Sequence, residues 1–114
     1  MALQIARRDV GSVTVLDLKG KLAGEAGLTL VDTVETLVQD GRQQVVLNLG
    51  EVSFVDSGSL GNLLSLRGAV VKQGGALKLS NVQARISDLL VATKLEMVFD
   101  TFESETDALK SFES

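Results

Sequence analysis

The chain has 114 residues, 45% of them hydrophobic, and carries a formal net charge of −4. It contains no cysteine and no histidine, which excludes disulfides, ordinary zinc sites, cysteine nucleophiles and hydrolase chemistry of the Ser–His type. The acidic balance argues against a nucleic-acid partner, which would need a basic face, and the four phenylalanines, the only aromatics, are too few for a base-stacking platform.

This length suits one domain, residues 1–114, with enough apolar residues to build a core without staples. No apolar run approaches the ~20 residues of a membrane span, and no signal-peptide pattern opens the chain. No membrane insertion and a cytoplasmic location are therefore expected. Any chemistry would rest on carboxylates, hydroxyls, Lys and Arg. No catalytic constellation of these emerges, no metal or cofactor is expected, and the expectation is a binding module rather than an enzyme.

In chain order, residues 3–7 and 13–19 read as two strands joined around Gly11. Gly20 and the segment 23–27 break the pattern. Leu30, Val31, Val34, Leu37 and Val38 then mark one face of a helix stopped by Gly41. The nearly unbroken apolar run Val45-Val46-Leu47-Asn48-Leu49 predicts a central parallel strand. Residues 50–55 read as a loop into a helix from near Ser57 to about Gln73, along which Leu60, Leu63, Leu64, Val70 and Val71 recur at helical spacing. Gly74-Gly75 ends it. A short strand at 76–79 leads to a helix carrying Val82, Ile86, Leu89 and Leu90, with Ser80 or Asn81 as its cap. Residues 97–102 predict a last strand, and Ser104-Glu105-Thr106-Asp107 resembles a capping box opening a C-terminal helix through Leu109 and Phe112. The order β-β-α-β-α-β-α-β-α predicts an α/β domain with a mostly parallel, mixed sheet of four to five strands and about four helices.

The stretch Val52-Ser53-Phe54-Val55-Asp56-Ser57-Gly58-Ser59-Leu60-Gly61 places an Asp and two hydroxyls where a buried strand gives way to a helix. Asp and Ser are among the best helix N-caps. A serine there can equally carry a phosphate, which would meet free backbone N–H groups and a favourable dipole. The residues alone leave both readings open. Along the following helix, Gly61, Ser65 and Gly68 fall at i, i+4 and i+7, beside Asn62 and Ala69 and opposite the leucines. Glycines inside a helix cost up to about 1 kcal/mol each against Ala, so they call for close approach of another backbone. That backbone belongs either to a partner or to a neighbouring helix of the same domain. On the first alternative Ser57, Gly61, Asn62, Ser65 and Ala69 share one docking face.

The glycines of segment 20–27 lack the spacing of a P-loop or a dinucleotide fingerprint. They read as a tight connection, with Glu25 placed to touch a partner. Asp32, Glu35, Asp40, Glu103, Glu105 and Asp107 read as solvated helix faces and termini.

With these elements in place, the chain resembles the STAS domain, shared by sulfate transporters and bacterial anti-sigma factor antagonists. Val45 to Leu49 followed by Val52-Ser53-Phe54-Val55-Asp56-Ser57 is similar to the family's strand and Phe-x-Asp-Ser core. The stretch from Gln73-Gly74-Gly75 through Asn81-Val82 is similar to its Gly-Gly turn, strand and Asn-Val/Leu link. The stretch 89–99 looks like its next helix and final strand approach. The resemblance covers almost the whole chain. It implies that Ser57 is the phosphorylation site, with Asp56 as its capping neighbour. It also implies that the unphosphorylated protein binds an anti-sigma factor that is itself a serine kinase, releasing a sigma factor. Phosphorylation by that kinase would end binding, and a PP2C-type phosphatase would reset the protein.

Two departures stand out. The family usually reads Asp-Ser-Ser/Thr-Gly-Leu-Gly where this chain has Asp56-Ser57-Gly58-Ser59-Leu60-Gly61; Ser57 keeps its place, Gly58 is expected to loosen the first helical turn and to be among the partner-binding residues, and Ser59 becomes a second candidate acceptor. The family's acidic pair, Gly-Glu-x-Asp, is replaced at its two acidic positions by Lys21 and Ala23, which shifts any acidic contact to Glu25 or points to a different partner. The expected function is an anti-sigma factor antagonist switched at Ser57. The alternative is a STAS subunit that binds the ATPase of a lipid-transport ABC system without a phosphorylation cycle. A transporter fragment is not expected, because the chain reads as one cleanly bounded domain.

Overall fold

The computed structural model describes residues 3–113. Strands β1 (Gln4–Val10) and β2 (Val13–Leu22) form an antiparallel hairpin. There follow α1 (Glu25–Gln39), β3 (Gln44–Val55), α2 (Ser57–Lys72), β4 (Ala76–Ser80), α3 (Ala84–Ala92), β5 (Asp100–Thr101) and α4 (Glu105–Lys110). The sheet order is β1-β2-β3-β4-β5, and every pairing from β2 onward is parallel. The expected element order and mixed five-stranded sheet are both present.

Sheet order follows chain order, so successive crossovers step in one direction. Helices α1, α2 and α3 all contribute to a single core on one sheet face, with Leu16, Leu47 and Leu79 beneath Val34, Leu66 and Leu90. The strand order never reverses, so the switch-point crevice in which doubly wound sheets hold nucleotides does not form. The opposite face is covered by α4. There Val13, Val15 and Val46 lie under Ala108, flanked by Phe102, Leu109 and Phe112. The Lys78 ammonium sits 4.2 Å from the Phe112 ring centroid and donates to Ser111 Oγ at 2.7 Å, so its stem and charge both hold the chain end down.

Several boundaries differ from expectation. The presumed loop 50–55 is strand: β3 continues to Val55 because β2 also runs on, pairing Lys19 with Glu51 and Leu22 with Val55. Register shifts between Asp17 and Lys19 and between Gly20 and Lys21 break the simple alternation, so Val52 and Val55 are both buried although three residues apart. Neither Ser80 nor Asn81 caps α3. Ser80 is the buried end of β4, while Asn81 has a positive φ of 53° and donates to Asn48 Oδ1 at 2.8 Å. Gln83 holds the cap position without a side-chain cap bond. The last strand shrinks to Asp100–Thr101. Ser104 does cap α4, accepting from Asp107 N–H at 3.1 Å, but the helix stops at Lys110, short of Phe112. Of the apolar residues that recur at helical spacing along α2, Leu60, Leu63 and Val70 are buried, whereas Leu64 and Val71 are 38% and 48% exposed. Glu105, expected to be solvated, pairs with Arg8.

Candidate functional site

The ends of β2 and β3 are paired in the sheet, so the chain leaves for α1 and α2 at adjacent points. Asp56 sits between them. Its N–H donates to Leu22 O at 3.1 Å, and its extended backbone (φ −85°, ψ 168°) suits an N-cap. Carboxylate Oδ1 accepts from Ser59 N–H at 2.7 Å, and Oδ2 accepts from Gly24 N–H at 2.9 Å. These two bonds, the one from Gly24 foremost, hold the Asp56 carboxyl below the usual carboxylate range. The glycines of segment 20–27 therefore form no open anion nest: Gly20 to Leu22 lie in β2, and the Gly24 amide is already taken by Asp56.

Ser57 is the first residue of α2 and is exposed. It stands where the first-turn N–H groups of a helix have no intrahelical acceptor and where the helix dipole favours negative charge. Gly58 is exposed beside it. Ser59, by contrast, is 1% exposed, and its hydroxyl has no hydrogen-bond partner among the described residues. It lies against α1, where a Cβ on Gly27 would stand 3.0 Å from Ser59 Oγ and 3.2 Å from Ser59 Cα. That burial removes Ser59 as an accessible second acceptor.

The small residues of α2 divide in the same way. A Cβ added at Gly61 or Gly68 meets nothing within 4 Å, so neither glycine packs against a neighbouring helix of the domain. With Ser57, Gly58, Ser65 and Ala69 they form an exposed strip along α2. Asn62 does not belong to it: half-buried, it turns toward α1 and would collide with any side chain at Gly27. Glu25 is exposed at the start of α1, one residue beyond the amide that Asp56 holds. Of the departures, Lys21 is exposed in β2 opposite Phe54, and Ala23 is half-buried, its carbonyl accepting from Ala26 N–H.

Sequence reasoning missed the Gly24 amide, whose only signal was a glycine just before a helix start. It also missed the exposed apolar residues Leu28, Phe54 and Leu64. Among the described residues no cluster of acidic side chains could hold a metal, and no helix is long and apolar enough to cross a membrane.

A single parallel-rich sheet with helices stacked in chain order, and an exposed serine at the head of α2, define a small α/β domain. A family model described as the STAS domain matches residues 4–108, and the chain belongs to that family. Solved structures agree on the fold. A candidate anti-sigma factor antagonist from Thermotoga maritima superposes with a TM-score of 0.90 at 20% identity, covering 96% of this chain and 95% of its own. An anti-sigma factor antagonist from Mycobacterium paratuberculosis gives 0.87 at 18%, with 99% and 96% covered. The unphosphorylated anti-sigma factor antagonist SpoIIAA gives 0.80 at 19%, with 96% of each chain covered. The phosphorylated form of SpoIIAA, a Bacillus cell fate determinant, gives 0.73 at 19%, with 98% and 100% covered.

Proposed function

We propose that this STAS domain is an anti-sigma factor antagonist: unphosphorylated, it binds an anti-sigma factor that is a serine kinase, and phosphorylation of Ser57 ends that binding. The observation that carries the reading is the position of Ser57. It is exposed on the first turn of α2, directly after a carboxylate committed to two backbone amides, at the head of a strip whose glycines touch nothing in the domain. The likeness to stand-alone antagonists over nearly their whole lengths supports the same class.

In the transfer, Ser57 Oγ attacks the γ-phosphorus of ATP. The bond to the β–γ bridging oxygen breaks, ADP leaves, and the hydroxyl proton passes to a base of the kinase. The product adds about −1.5 to −2 charge at a surface that a partner backbone must approach closely. In this role the domain is substrate and ligand, not enzyme, and it works in the cytoplasm, where kinase, sigma factor and a resetting PP2C-type phosphatase meet.

Affinity capture from lysate of the source organism tests this with wild-type protein, Ser57→Asp and Gly61→Leu side by side. Wild type is expected to retain a serine kinase that both variants lose. An ABC-type ATPase held equally by wild type and Ser57→Asp would contradict the switch and favour a transport accessory subunit in which Asp56 and Ser57 only cap α2.

A further inference from the structure

The sheet face opposite α1, α2 and α3 is covered only in part. The short helix α4 lies over Val13, Val15 and Val46, and strand alternation carries Asp17 and Asn48 onto the same face beyond them. There a cavity of about 660 Å³ opens, within the range of about 300–1,000 Å³ typical of small-molecule sites. Half-buried Asp17, Asn48 and Asn81 and exposed Gln4, Lys19 and Glu51 line it.

The polar side chains of this cavity are held in place. Asp17 accepts from Arg8 Nε at 2.6 Å and from Asn48 Nδ2 at 2.7 Å, and Asn48 Oδ1 accepts from Asn81 Nδ2 at 2.8 Å and from Gly50 N–H at 3.0 Å. Asn81 takes the left-handed conformation, φ 53°, which Asn tolerates better than most side chains. A Cβ on Gly50 would stand 3.2 Å from Asn48 Oδ1 and 3.3 Å from Asn81 Cβ, so the missing side chain leaves room for that bond. The register sets Ser80 beside Asn48, and the buried Ser80 hydroxyl has no hydrogen-bond partner among the described residues.

We propose that this cavity binds a small, neutral, polyhydroxylated molecule of the sugar or cyclitol class. Its charges are already spent, Asp17 on Arg8 and Lys19 on Glu51 at 3.8 Å, which leaves no ion to hold a phosphate or a zwitterion. No phenylalanine lines it, so a planar base finds no ring to stack on. What remains is a mixture of amide donors and acceptors. The Asn48 and Asn81 amides have each given one N–H within the chain and keep a second, and Gln4 adds an exposed amide. Vicinal hydroxyls, each able to donate and accept, match that mixture. The site is independent of Ser57, because α2 packs on the opposite face of the sheet.

The test is an NMR titration of isotope-labelled protein with glycerol, D-glucose and myo-inositol, beside inorganic phosphate and glycine as charged probes. Wild type is compared with Asn81→Gly, which removes the amide while glycine keeps the positive φ without strain. At least one polyol is expected to give saturable shifts at millimolar concentration, confined to the side-chain amides of Gln4, Asn48 and Asn81 and the backbone amide of Gly50. Asn81→Gly is expected to bind that polyol about tenfold more weakly, the effect of losing one hydrogen-bonding side chain. Shifts that scatter over the surface or fail to saturate with every polyol would overturn the proposal. So would the same amides answering to phosphate or glycine instead, or unchanged binding by Asn81→Gly.

Discussion

Gly27, Gly61 and Gly68 are all helical glycines, yet the same methyl group has opposite consequences at them. At Gly27 an added Cβ meets the backbone of Ser59 and displaces Asn62. Overpacking of this kind costs about 1–3 kcal/mol, which outweighs the gain of about 1 kcal/mol in helix propensity. At Gly61 and Gly68 the space is open, so only the propensity gain remains. Urea unfolding is therefore expected to show Gly27→Ala destabilised and Gly61→Ala and Gly68→Ala each stabilised by up to about 1 kcal/mol. A stabilising Gly27→Ala would mean that α1 and α2 are not in close contact. The sequence placed Gly27 in a tight connection, whereas α1 already starts at Glu25, and it left open whether Gly61 and Gly68 meet a partner or a neighbouring helix, because that depends on which helix face meets a neighbour.

Asp56 carries a pH dependence whose sign follows from its bonds. Gly24 N–H and Ser59 N–H favour the ionised carboxylate, so its folded pKa lies below the unfolded value of about 3.9. Its contribution is complete above that value and is lost as pH falls through the lower folded value. Asp9 beside Arg7 and Asp17 beside Arg8 are shifted in the same direction by their ion pairs. The stability gap between wild type and Asp56→Asn is expected to be constant from neutral pH to about pH 5 and to narrow below about pH 4. Chemical denaturation at a series of pH values measures it, and a gap unchanged down to about pH 2 would show that the carboxylate charge does not matter.

At the scale of elements, the strands and helices with strong periodicity were legible. The run Val45 to Leu49 announced its burial, and Ser104 announced the start of α4. Where the reading failed, long-range pairing had overridden local signals. Gly50, Glu51 and Ser53 look like a loop, yet the extension of β2 beyond its register shifts supplies partners that keep this segment in the sheet. Ser80 and Asn81 look like a helix cap, yet Asn81 belongs to a polar chain on the sheet's other face. In that chain Arg8 Nε donates to Asp17 at 2.6 Å, Asn48 donates to Asp17 at 2.7 Å, and Asn81 donates to Asn48. Residues from β1, β2, β3 and the β4–α3 link meet there only because the strands lie side by side. The core of the candidate site was more legible than its frame. Asp56 and Ser57 form a local motif, whereas the burial of Ser59, the inward turn of Asn62 and the amide of Gly24 follow from how α1 and α2 pack.

At the scale of the molecule, one sheet face carries three helices in chain order, and the Asp56 carboxylate bridges the starts of the first two. The domain has a smooth helix face, an exposed serine at its head and no histidine to titrate near neutrality. Control by an added phosphate suits such a surface better than control by pH. The central claim is that Ser57 is the switch, and one measurement tests it most directly. The purified protein is incubated with its captured kinase and ATP, the phosphate is mapped by mass spectrometry, and kinase affinity is compared for the two forms. The account predicts a single phosphate on Ser57, none on the buried Ser59, and at least a tenfold loss of affinity, about 1.4 kcal/mol. Phosphate at another residue, or equal affinity of the two forms, would contradict it.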